Sequence, residues 1–192
     1  MGTAGNTVID ILVEDHREVE ELFQELERPA AGPARRQEVL TAAIAELVRH
    51  SVAEEMYLYP AAREVLPDGD QIADREIDDH SQAEQAMKRL ERLQPDDPQF
   101  DAEVRVLTTS VREHITDEEE NLFPRLREAC SAEQLVELGG KVERAKRIVP
   151  TRPHPSAPST PPWNMVLAPG AGLVDRVRDT LSGRPTSPSD VQ

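Results

Sequence analysis

The chain repeats itself without a gap at an offset of 64 residues, and the matched positions carry its chemistry. Asp15-His16 falls on Asp79-His80, His50 on His114, and Glu54-Glu55 on Glu118-Glu119. Leu58, Pro60, Arg63 and Glu64 fall on Leu122, Pro124, Arg127 and Glu128, and Glu20, Leu26, Glu27 and Arg28 on Glu84, Leu90, Glu91 and Arg92. Such a chain must build two similar halves about a pseudo-twofold axis. Residues 1–149 show apolar residues at helical spacing and no strand-like alternation, which predicts helices at about 7–28, 34–59, 70–93 and 99–123. Pro29 to Pro33, Pro67-Asp68-Gly69 and Pro95 to Pro98 supply the turns, and Pro60 and Pro124 are expected to end long helices. Thr7 to Asp10 reads as a capping box, and Ser131 to Gln134 as a second one opening a shorter fifth helix. Short loops between long helices predict an all-α, up-down-up-down four-helix bundle made of two hairpins.

The seams show which side chains face inward. Ile9, Leu12, His16, Val19, Phe23 and Leu26 form one stripe, and Ala73, Glu76, His80, Ala83, Met87 and Leu90 another. The second helix contributes Ala43, Leu47, His50, Glu54 and Tyr57, and the fourth Leu107, Val111, His114, Glu118 and Asn121. His16, His50, Glu54, His80, His114 and Glu118 therefore meet in the core. In each His-x-x-x-Glu pair the side chains stack one turn apart. A single inward histidine is an ordinary hydrogen-bonded core residue, but four imidazoles and two carboxylates buried together are costly unless a metal offsets them. Six ligands are too many for one zinc tetrahedron. Two metals, each holding two imidazoles and sharing both carboxylates, account for all six. Mixed imidazole and carboxylate suits iron, although manganese or zinc could occupy the same cage.

In this order, His16, His50-x-x-x-Glu54, His80 and His114-x-x-x-Glu118, the chain resembles the hemerythrin-like HHE cation-binding domains over about residues 7–130. The resemblance implies a non-haem di-iron centre bridged by Glu54 and Glu118, oxo-bridged when diferric. By it, His16 and His50 would hold one iron, His80 and His114 the other. It also implies roles in oxygen binding or sensing, iron handling, nitrosative-stress repair, or reactions with nitric oxide or peroxide. Oxygen carriers of this kind have a fifth histidine one turn before the residue matching His80, and an Asp where Glu118 stands. Here that earlier position is Glu76. Tyr57, whose repeat counterpart is Asn121, is expected near the iron of His80 and His114, either as a ligand or as a core aromatic bonded to Glu76. Glu76 is expected to orient His80. Tyr57 and Glu76 are thus the candidate catalytic groups. An oxygen anion there would favour ferric iron, which ranks an oxidoreductase acting on nitric oxide, peroxide or oxygen above a non-catalytic sensor or an iron-storage or cluster-repair protein.

Remaining features set limits. With 37 acidic and 22 basic side chains the net charge is −15, which opposes binding to nucleic acid or to anionic membranes. One cysteine, Cys130, excludes an intramolecular disulfide and multi-cysteine metal clusters, and nothing marks it as reactive. No secretory signal, myristoylation motif or membrane-spanning run is evident, so a soluble cytoplasmic protein is expected. Asp15 and Asp79 are expected as surface or capping charges, and Glu55 and Glu119, off the seam, are expected to face solvent. Nine of the 16 prolines follow residue 149, so 150–192 reads as a Pro-rich linker with a stray His154 and a short helix. Leu173, Val174, Val177 and Leu181 share a face of that helix, ended by Gly183 and preceded by Trp163. That face is expected to dock on the bundle or on a second copy.

Overall fold

The computed structural model describes residues 5–28, 32–154 and 163–191, without the side chains of 163–169, 177 and 181. The expectations that rest on residues 29–31 and 155–162, and on the side chains of Trp163, Val177 and Leu181, lie outside it. The described residues form helices and no strand. In order these are α1 (Val8–Leu26), α2 (Pro33–Ala53), α3 (Tyr59–Val65), α4 (Gly69–Leu90), α5 (Phe100–Asp117), α6 (Phe123–Ala129), α7 (Ala132–Lys146) and α8 (Trp163–Ser182), then a 3-10 turn, Pro188–Val191. Helix α1 packs on α2 and α4 on α5, while α7 lies against α1 and α2. The four long rods fit the two-hairpin bundle. No helix among the described residues is long and apolar enough to cross a membrane.

Both capping boxes form. Thr7 N–H donates to Asp10 Oδ2 at 3.0 Å and Asp10 N–H to Thr7 Oγ1 at 3.2 Å. Ser131 N–H donates to Gln134 Oε1 at 2.7 Å, with the reciprocal bond at 3.3 Å. Each closes two of the open N–H groups at a helix start. The close seating of α7 on the start of α1 needs Gly139, where a Cβ would stand 2.7 Å from the Asn6 carbonyl oxygen.

Pro60 and Pro124 do not end their helices. Each is preceded by one π-helical turn, Glu54–Leu58 and Glu118–Leu122, and the rod continues as α3 or α6. Proline has no N–H, and its ring crowds the carbonyl four residues back. Widening the turn relieves that clash, so Tyr59 N–H bonds the Glu54 carbonyl and Phe123 N–H the Glu118 carbonyl, five residues back. One extra residue per turn rotates everything downstream.

The core divides in two. One apolar cluster includes Ile9, Leu12, Leu58, Phe123 and Leu126, and the other Val19, Phe23, Leu40, Phe100 and Leu107. On α1 these clusters end at Leu12 and begin again at Val19, with His16 between them. The polar layer is thus sealed on both sides by packed hydrocarbon.

Beyond α7 the tail returns to the bundle, but with two of the four residues of the expected face turned away from it. Helix α8 is longer than anticipated, and Leu173 and Val174 are turned outward, 60% and 56% exposed. Its inner face carries Gly172, Asp175 and Asp179. A Cβ at Gly172 would stand 2.1 Å from the Ile148 carbonyl oxygen, so only glycine allows this approach. Asp175 Oδ2 accepts the N–H groups of Thr151 and Arg152 at 3.3 and 3.2 Å. His154, expected to be stray, puts Nε2 3.0 Å from the same oxygen. Asp179 holds Thr151 Oγ1 at 2.5 Å and Arg152 Nη2 at 2.7 Å. Backbone donors of the turn after α7 needed acceptors more than α8 needed apolar cover. Gly183, at φ +63°, ends the helix as anticipated, and the strand of chain beyond it lays Val191 into the second cluster.

Ending the chain at Ser182 should therefore leave the helical circular dichroism in place. Losing the burial of Val191 should lower unfolding stability by about 1.5–3 kcal/mol, measured by chemical denaturation.

Candidate metal centre

Each long rod projects one histidine into the gap between the clusters, and the two rods that carry π-turns add a carboxylate. All six side chains are buried. His16 Nε2 and His50 Nε2 are 3.2 Å apart, His80 Nε2 and His114 Nε2 3.1 Å. Glu54 Oε2 lies between the pairs, 3.2 Å from His50 Nε2 and 3.4 Å from His80 Nε2. Glu118 Oε2 does the same, 3.4 Å from His16 Nε2 and 3.7 Å from His114 Nε2. Donor atoms of His16, His50, Glu54 and Glu118 lie together closely enough to hold one cation, and those of Glu54, His80 and His114 another.

The outer imidazole nitrogens meet four more acids. His16 Nδ1 stands 2.8 Å from Glu119 Oε1 and His50 Nδ1 3.3 Å from Asp15 Oδ2. His80 Nδ1 is 3.1 Å from Glu55 Oε1 and His114 Nδ1 2.9 Å from Glu76 Oε2. Asp15, Glu55 and Glu119 are therefore not surface charges: each reaches across to the histidine of a neighbouring rod. Glu76 is buried as expected but serves His114, not His80. Asp79, the repeat counterpart of Asp15, is half-buried and takes no such part. The signal was in the repeat, which matches acids beside ligands at 15 and 79 and at 55 and 119.

This arrangement has the chemistry of a cation site. At His16, His50 and His80 a proton on Nδ1, shared with the carboxylate, leaves Nε2 free as a lone pair, while at His114 the Glu76 carboxylate stands close without hydrogen-bond geometry. Two Nε2 atoms can stand 3.1–3.2 Å apart only with a proton or a cation between them. Both oxygens of Glu54 and Glu118 Oε2 are buried without a hydrogen-bond partner. In the bare protein, burial and the Glu118 charge push the Glu54 carboxyl well above its usual range. Burial works the same way on Glu118, but His114 and His16 hold it well below. Burial depresses His50 to about 4. A positive ion among these atoms removes every one of these conflicts.

Tyr57 is not at the site. It is half-buried and packs against the first apolar cluster. Tyr59 takes the place assigned to it, fully buried, its hydroxyl 3.1 Å from both His80 Nε2 and Glu118 Oε1. The π-turn is the cause, because the extra residue carries position 57 off the seam and brings 59 onto it. The repeat counterpart of Tyr59 is Phe123, which stacks on His16 with ring centroids 5.8 Å apart and planes 9° from parallel. The site is symmetric in its ligand types and asymmetric in this one oxygen.

In a further acidic cluster, Asp15, Glu18 and Glu46, two of the three acids are already paired from within the chain. Lys146 Nζ, from the end of α7, sits 2.5 Å from Asp15 Oδ1 and 2.8 Å from Glu46 Oε1. Glu46 also pairs with Arg49, which reaches the Thr186 carbonyl at 2.5 Å. A line of charged contacts thus runs from His50 to the tail.

Removing an acid that holds Nδ1 should leave the fold intact and weaken the metal. Asp15→Asn, Glu55→Gln, Glu76→Gln and Glu119→Gln should each lower metal affinity by about 10–100-fold, read by competition with a chelator. Asp79→Asn should change it little, and an equal loss there would undo the distinction between Asp79 and its counterpart.

The comparisons agree with this geometry. The family model described as hemerythrin HHE cation binding domain matches residues 7–126. An uncharacterized hemerythrin-like protein of Schizosaccharomyces pombe is 28% identical over 179 residues, 93% of this chain and 88% of that one. A DNA nickase of Nostoc is 30% identical over 143 residues, 74% of this chain but only 40% of the nickase. The crystal structure of a hemerythrin HHE cation-binding domain-containing protein from Mycobacterium kansasii superposes with a TM-score of 0.64 at 22% identity, covering 74% of this chain and 86% of that one, a likeness of fold. The chain belongs to the hemerythrin HHE cation-binding domain family.

Proposed function

We propose that the chain is a non-haem di-iron protein that binds and turns over a small oxidant such as nitric oxide, peroxide or oxygen. The observation that carries this reading is the set of four Nε2 atoms and two shared carboxylates, with an acid behind every imidazole. Carboxylates at Nδ1 make the imidazoles more basic and favour a metal in its higher charge state. Mixed nitrogen and oxygen donors suit iron, where calcium or magnesium would seek nearly all oxygen. When bound, the pair of irons would supply Lewis acidity and exchange electrons with the oxidant.

The side chains have separate tasks. His16 with His50, and His80 with His114, would hold one metal each, and Glu54 and Glu118 would be shared. Asp15, Glu119, Glu55 and Glu76 fix ring orientation and the Nδ1 proton. Phe123 covers His16 with hydrocarbon and excludes water there. At the other pair Tyr59 offers an oxygen. Burial, with the charges of Glu118 and Glu54 beside it, holds the pKa of its hydroxyl well above its ordinary value in the bare protein, so it stands as an O–H able to donate to Glu118 Oε1. The Nostoc relative's nicking activity is not carried over, because this chain spans 40% of it and a net charge of −15 repels a phosphate backbone.

Iron analysis should give two irons per chain, and the double variant His50→Ala/His114→Ala should lose both; full loading of that variant would refute the assignment. Tyr59→Phe removes only the oxygen and copies the Phe123 side. It should keep fold and iron while altering the visible spectrum and the rate with peroxide or nitric oxide. Tyr57→Phe should alter neither.

A second reading, a sensor that reports metal occupancy, is favoured by the charged line from His50 through Asp15, Lys146, Glu46 and Arg49 to Thr186. Limited proteolysis separates the two. A sensor predicts that iron changes cleavage at 183–190 far more than cleavage within the bundle, whereas a turnover enzyme predicts that tail and bundle change together.

A further inference from the structure

Between the end of α7, the C-terminal half of α8 and the returning chain at 183–190 lies a cleft of about 870 Å³. It is far from neutral. Arg49, Lys146, Arg147, Arg176 and Arg184 line it, facing three acids, Glu38, Asp179 and Asp190, in a chain whose net charge is −15.

The acids are already engaged. Asp190 Oδ2 accepts the N–H groups of Thr186 and Ser187 at 2.9 and 3.0 Å. Asp179 holds Thr151, Arg152 and Arg184. Glu38 lies 3.7 Å from Arg35. Three of the cations are engaged as well, Lys146 by Asp15 and Glu46, Arg49 by Glu46, and Arg184 by Asp179 and Glu91. That leaves Arg147 and Arg176. Among the described residues neither meets a carboxylate. Arg176 Nη1 instead donates to the carbonyls of Arg147 and Val149, at 3.2 and 3.4 Å, which sets its guanidinium over the Arg147 backbone. Arg176 thus covers carbonyls at the end of α7 without meeting a counter-charge, so this wall keeps two cations that no described carboxylate neutralises.

We propose that this cleft binds a small, non-aromatic phosphate dianion, either free phosphate or the phosphate of an ester. Paired guanidiniums match phosphate oxygens in a bidentate way that a lone ammonium does not. Hydroxyls of Thr186 and Ser187 border the same space and can supply neutral donors. The volume falls in the range of small-molecule sites, larger than one phosphate needs, so room remains for the body of an ester. Among the described residues no aromatic side chain lines the cleft, so they offer no stacking platform for a nucleobase. The proposal does not depend on the metal reading.

Isothermal titration of the full, iron-loaded chain with inorganic phosphate and with glycerol 3-phosphate tests it. One saturable site is expected, weakened about tenfold or more in Arg147→Gln/Arg176→Gln. Tighter binding of the ester assigns the site to an ester, and tighter binding of phosphate to the free ion. Should Arg176→Gln disturb the seating of α8, seen as a lowered melting temperature, Arg147→Gln alone must still weaken binding severalfold. Absence of saturable binding overturns the proposal. So does equal affinity in the variants, which would put the anion on the iron instead.

Discussion

Everything in this fold is arranged around two pairs of imidazole nitrogens that face one another at 3.1–3.2 Å inside hydrocarbon. Such contacts need a proton or a cation between the nitrogens, and three oxygens of the two carboxylates beside them lack hydrogen-bond partners. The rest of the structure holds this cluster in place. Apolar clusters close it above and below, and an acid grips the far side of each ring. Because every gripping acid comes from a rod other than that of its histidine, the same contacts that orient the ligands also tie the rods together. Metal binding and bundle assembly are therefore coupled in one set of side chains.

The two π-turns are what give the cluster its surroundings. Each begins at a shared carboxylate and ends just before a proline-bearing turn. An α-helical continuation from Glu54 would carry Tyr57 inward. The widened turn carries Tyr59 inward instead, and in the second half Phe123. One backbone irregularity, repeated, thus yields an oxygen beside one histidine pair and a hydrocarbon face over a member of the other. Two metals held by like ligands would then sit in unlike environments, which is a route to two different potentials from one repeated motif.

Charge is distributed with similar economy. The large acidic excess is not simply a solvated surface, since several acids are turned inward to hold imidazoles or to accept backbone donors of the tail. Lys146 and Arg49 balance two of them from within. Among the described residues the tail is seated by buried ion pairs and hydrogen bonds, and Leu173 and Val174 lie outside.

The helical repeat, the capping boxes and the six inward ligands were legible in the sequence, because a regular period of 3.6 residues maps sequence spacing directly onto a face. The family resemblance rested on the same spacing. Where the period breaks, the mapping fails: Pro60 and Pro124 were visible, but the backbone could answer them by ending or by widening, and only packing on both sides of the helix selected widening. Tyr57 and Tyr59 exchanged places for that reason. Asp15, Glu55 and Glu119 were visible as repeated acids beside ligands, yet off their own seam. Their partners lie on other rods, and periodicity within one helix carries no information about what stands opposite. The exposure of Leu173 and Val174 was decided in the same way, by unsatisfied backbone donors after α7 that Asp175 and Asp179 could reach and an apolar face could not.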